Sequence, residues 1–101
     1  MISKIKVALV FNEKDTAVEF VRENTTDGMV VATSVHQFVY ETPILRFEWI
    51  KPFCNFKGQR VNFVFTTKAI RDTQWFDSVI RPMQMGGTGI FDVKDEPPEM
   101  G

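Results

Sequence analysis

Residues 59–83, QRVNFVFTTKAIRDTQWFDSVIRPM, constrain this chain more than any other stretch. Val61, Phe63 and Phe65 alternate with Asn62, Val64 and Thr66, the two-residue period of a strand. After a short polar turn, Trp75, Phe76, Val79 and Ile80 recur at the spacing of one helical face. Asp72 is placed to cap that helix, its carboxylate accepting from the first-turn amides. Pro82 stops the helix, because it disfavours helical angles at Arg81. A strand that passes directly into a helix implies a crossover connection, and so an α/β architecture.

The start of the chain has the same order. Residues 4–11 (KIKVALVF) have the length of a strand and are apolar on both faces from Val7 onward, as a central strand would be. Asn12 is the expected cap of a helix that ends near Asn24, with Glu13 and Asp15 in its first turn. Ala17, Val18, Phe20 and Val21 form its apolar side. The turn cluster TTDG follows at 25–28. Residues 29–33, 35–40 and 44–50 read as strands, the last two antiparallel through a tight turn at Glu41-Thr42-Pro43. In the third, Leu45, Phe47 and Trp49 face one way, and Arg46 and Glu48 the other. Residues 51–58 form a loop, 86–89 a glycine-rich turn and 90–93 a last short strand. The expected fold is α/β, with α+β as the alternative: a small sandwich with a mixed sheet of about five strands and two helices. Residues 1–94 form its single domain, and 95–101 (DEPPEMG) a flexible acidic tail.

The net charge of −1 excludes a broadly basic nucleic-acid binder, but the charge is unevenly spread. Residues 51–71 hold five cations (Lys51, Lys57, Arg60, Lys68, Arg71) and no acid, whereas 92–99 hold four acids and one lysine. One cysteine, Cys54, allows no internal disulfide and fits a reducing compartment, the cytoplasm, or the host cytoplasm if the chain is viral. No apolar run is long enough to cross a membrane, and the N-terminal segment reads as a strand rather than a signal peptide. Ten phenylalanines are many for a core of this size, so some are expected on a contact surface.

Catalytic patterns are weak. The turn after the first strand has no glycine and carries acids, which suits no phosphate. The glycines at 86–89 precede a strand and lack the Lys-Ser pair. Cys54 with His36 is a conceivable nucleophile pair, and Asp72 with Asp77 a conceivable acid pair, although plain structural roles account for all four. No metal-ligand spacing occurs and no cofactor is expected. Lys51, Lys57, Arg60, Lys68 and Arg71, interleaved with Phe53 and Phe56, have the residue types of a surface that stacks single-stranded nucleic acid. Trp75 and Phe76, with Trp49, are candidates for a protein-contact patch.

Residues 57–83, with a Gly-Arg turn, a hydrophobic strand and a helix bearing Trp75-Phe76, resemble the acidic-strand region of phage terminases and related ATPases. In that family the strand ends in Asp-Glu, and here Thr66 and Thr67 stand at those positions. The resemblance implies a relative that lost magnesium binding at Thr66 and water activation at Thr67. The whole chain also resembles, in its general look, a small accessory protein of bacterial viruses.

The sequence therefore points to a non-enzymatic module that binds a protein partner stoichiometrically, as a phage accessory or inhibitor protein would. Its expected contact residues are Lys51, Phe53, Phe56, Lys57, Arg60, Lys68, Arg71 and Trp75. A nucleic-acid binder using residues 51–71 and a small enzyme of unassigned reaction are the alternatives. A homodimer through an open sheet edge is compatible with either.

Overall fold

The first strand, β1 (Ile5–Val10), lies in the interior because both of its faces are apolar. Val7, Leu9 and the adjoining Phe11 point to one side, and Ala8 and Val10 to the other, each joining a separate core cluster. The computed structural model describes residues 4–54, 60–94 and 96. After β1 the chain forms α1 (Lys14–Asn24), β2 (Met29–Ser34), β3 (Gln37–Glu41), β4 (Leu45–Ile50) and β5 (Phe63–Thr67). It continues through α2 (Lys68–Arg71), a π-helical turn (Phe76–Ile80) and a 3-10 turn (Arg81–Met83) to β6 (Ile90–Val93).

The six strands make one mixed sheet in the order β2-β3-β4-β1-β5-β6. β4, β1, β5 and β6 are mutually parallel, and β3 alone runs against the rest. The α/β expectation holds, with six strands rather than five and a third short helical segment. The short strand expected at 90–93 is present as β6, and its Val64↔Ile90 to Thr67↔Val93 register with β5 is parallel. α1 packs Ala17 and Val21 on one face, against Leu9, Phe11, Phe47 and Trp49. The segment after β5 packs Ile70, Phe76, Ile80 and Met83 on the opposite face, against Ala8, Val10 and Val64.

Three local expectations are corrected. Asp72 does not cap the last helix. Thr67 Oγ1 accepts from the Ile70 amide, so α2 begins directly after β5 and Asp72 falls at its C-terminal end. The next turn is capped by Thr73, whose Oγ1 accepts from the Phe76 amide at 3.2 Å. That turn is π-helical, the Arg81 amide bonding back to the Phe76 carbonyl. Pro82 does not turn Arg81 out of helical angles, as expected of it: Arg81 keeps φ −55° and ψ −42°, and Pro82 sits in the 3-10 turn that follows. His36 lies in the tight turn between β2 and β3 rather than on a strand.

Candidate functional site

In a parallel α/β sheet, ligands gather at the carboxyl ends of the strands, where the connections diverge to opposite faces. Here that point lies between β1, which leads into α1, and β5, which leads into α2 on the other face. The groups around it are engaged by the protein itself. Thr66 is fully buried and donates to the Val10 carbonyl at 2.9 Å, tying β5 to β1. Thr67 is likewise buried and caps α2. These are the two positions where the terminase resemblance places carboxylates, and their hydroxyls carry out strand-tying and helix-capping.

Asn12 was expected to cap α1, but the capping residue is Glu13, whose side chain makes no capping bond. The acceptor comes from the far end of the chain. The Glu96 carboxylate takes the Asn12 amide at 2.6 Å, the Glu13 amide at 3.0 Å and the Thr16 hydroxyl at 2.8 Å. A carboxylate suits the partial positive charge at a helix start. Of the tail expected to be flexible, Glu96 is the described part, and residues 95 and 97–101 lie outside the described residues.

The expected contact residues are spread over the molecule. Phe53 and Trp75 meet, with ring centroids 5.5 Å apart and planes tilted by 47°. Trp75 is half-buried and anchored, its indole Nε1 donating to the Cys54 carbonyl at 3.1 Å. Phe53 is 65% exposed and sits at φ 64°, the left-handed region that non-glycine residues avoid. Lys51 precedes it and is exposed, as is Lys68. Lys51 follows β4 and Lys68 follows β5, with β1 between, so their backbones leave the same sheet edge about 10 Å apart. Arg71 is paired with Asp92, Nη2 to Oδ2 at 3.0 Å. Arg60 is exposed at the start of the β5 segment, the other edge of the sheet from Lys68. Phe56 and Lys57 lie outside the described residues.

The aromatic patch expected from Trp49, Trp75 and Phe76 is not assembled. Trp49 is buried under α1 with its indole on the Phe11 carbonyl, and Phe76 is buried on the opposite face. Asp77 pairs with Arg81 rather than with Asp72. Among the described residues no group of three His, Cys, Asp or Glu side chains could hold a metal ion, and no helix is long and apolar enough to cross a membrane.

The sheet order and the two-faced packing define the class as an α/β domain with a parallel core and an antiparallel hairpin added at one edge. No family model matches the chain, and no curated protein or solved structure matches it.

Proposed function

We propose that the chain is a non-enzymatic module that binds a protein partner, with the Phe53–Trp75 pair at the centre of contact. The observation that carries this reading is the display of Phe53: a large ring, mostly exposed, on left-handed backbone. Left-handed geometry costs a non-glycine residue about 1–2 kcal/mol. Such strain persists where surrounding structure enforces it, and it clusters at functional positions. Trp75 meets the ring at a tilt and is fixed by its own hydrogen bond, so the pair is preorganised. Rigid aromatic anchors dominate the energetics of protein interfaces. Lys51 and Lys68 would supply a polar rim.

Phe53→Gly is the discriminating variant. It removes the ring and also relieves the backbone, so it should melt at or above the parent's temperature. The immobilised parent should retain a protein of the source cell in stoichiometric amount, and Phe53→Gly should weaken that binding by about 2 kcal/mol, roughly thirtyfold. A variant that retains the same protein equally well refutes the assignment. Salt-sensitive binding of a single-stranded oligonucleotide, lost in the same variant, would replace the protein partner with nucleic acid.

A further inference from the structure

β2 is an edge strand that neither charge nor proline blunts. It reads MVVATS, with no charge and no proline in six residues. Met29 is 69% exposed, and Val30 and Val31 are each 51% exposed. The opposite edge strand, β6, is shorter and carries Asp92 with Lys94 just beyond it. Edges are ordinarily blunted by shortness, charge or proline, as β6 is, because their free amides and carbonyls template pairing with another chain.

We infer that β2 pairs antiparallel with the β2 of a second copy of this chain, joining two sheets across a two-fold axis. Three features of the strand favour a second copy as the occupant. An uncharged strand can lie antiparallel to itself with no like charges opposed. In the register centred between Val31 and Ala32, Val31 faces the partner's Ala32, Val30 the partner's Thr33 and Met29 the partner's Ser34, so each pair sets an apolar side chain against a small or β-branched one. The flanking charges are also complementary under the same symmetry. Asp27 is exposed two residues before the strand. The Lys14 ammonium is held at the other end, on Thr33 Oγ1 at 3.2 Å and the Ser34 carbonyl at 2.9 Å. The antiparallel arrangement brings Asp27 to the partner's Lys14 twice, once on each side of the axis, as an isologous interface requires.

One device on the strand opposes pairing. The β2–β3 register shifts between Val30 and Ala32, a bulge at Val31 that raises the local twist. The interface is also small: a strand pair of this length with its flanking side chains buries on the order of 1,000 Å² in total, at the low end for specific association. Both set the strength, a reversible dimer with a Kd on the order of 10–100 µM.

Sedimentation equilibrium of the full chain from about 5 to about 500 µM spans that range on both sides. The mass should rise from 11.7 kDa toward twice that value. Val31→Lys places like charges near the axis on an exposed position, and should raise the dimer Kd at least tenfold with an unchanged melting temperature. Asp27→Lys should also weaken the dimer, and adding Lys14→Asp in the same chain should restore it. A single 11.7 kDa species throughout the range overturns the inference. A dimer that Val31→Lys leaves intact overturns it too, because it would use another surface. Failure of the charge exchange to restore association overturns the antiparallel arrangement.

Discussion

Replacing Glu96 by alanine should destabilise the whole domain, although the residue lies near the end of the chain. Its carboxylate accepts three hydrogen bonds at the start of α1, two from exposed backbone amides and one from the partly buried Thr16 hydroxyl. Hydrogen bonds to a charged acceptor contribute about 1.5–3 kcal/mol each where water is excluded. The two exposed bonds here compete with solvent and merit a fraction of that. Charge at the helix start adds about 0.3–1 kcal/mol. Against these stands the ordering of the Glu96 backbone and side chain, which costs about 2–3 kcal/mol. The net is about 1 kcal/mol, or a fall of about 4–8 °C in Tm for a domain of this size. Glu96→Gln keeps an acceptor and loses the charge, so it should fall between the two. Differential scanning calorimetry at neutral pH and low salt measures both variants. The parent–alanine difference should narrow in molar salt, where the charge–dipole part is screened. An alanine variant that melts within about 1 °C of the parent at low salt would show that the carboxylate does not secure α1 and would refute the reasoning.

Two further outcomes test the architecture. Thr66→Asp restores the residue type that the terminase resemblance places at the end of the strand, but puts a carboxylate in a fully buried site against the Val10 carbonyl, so it should cost about 4 kcal/mol or prevent folding; Thr66→Val should cost about 1 kcal/mol in urea denaturation, and a Thr66→Asp protein as stable as the parent would contradict the buried tie. Hydrogen bonds from the Arg46 guanidinium and then the Lys4 ammonium hold the Glu41 carboxyl below its ordinary value. Its contribution to stability is therefore fully present above the unfolded-state value and is lost as pH falls through the lower folded-state value. Glu41→Gln should flatten that part of an acid-unfolding curve, and an unchanged curve would show that the pair is inert.

The residue pattern gave away the elements whose faces have a regular period. β1 is apolar on both sides because β4 and β5 flank it and both sheet faces are covered, and that burial is visible in the run Val7 to Phe11. β4 alternates, with Leu45, Phe47 and Trp49 all joining the α1-side cluster. Caps were harder to read. Asp72 and Thr73 are adjacent and both have capping chemistry, and the choice between them follows from Thr67 starting α2 immediately after β5. The β6 strand is four residues long and is stabilised by pairing with β5, a contact no local pattern encodes. Glu96 reached across 80 or more residues to Asn12, Glu13 and Thr16, and the only trace in the sequence was a surplus of acid near the end.

The same split governs the candidate site. Reading cations and rings along residues 51–71 treats them as one loop, but the fold distributes them to two edges of the sheet and engages Arg71 with Asp92. What survives as a joined surface is an aromatic contact between Phe53 and Trp75, residues 22 positions apart that no linear spacing links. Meanwhile the place where an α/β sheet ordinarily receives a ligand, between the ends of β1 and β5, holds the buried Thr66 and Thr67 and is approached by the Glu96 carboxylate. Side chains engaged in strand-tying and capping can be recruited by a ligand only after those bonds are broken, at a cost of about 1 kcal/mol or more each. The Phe53 ring and the β2 edge carry no such cost, because both are already exposed to solvent. That energetic difference favours contact at the periphery of the sheet over chemistry at its centre.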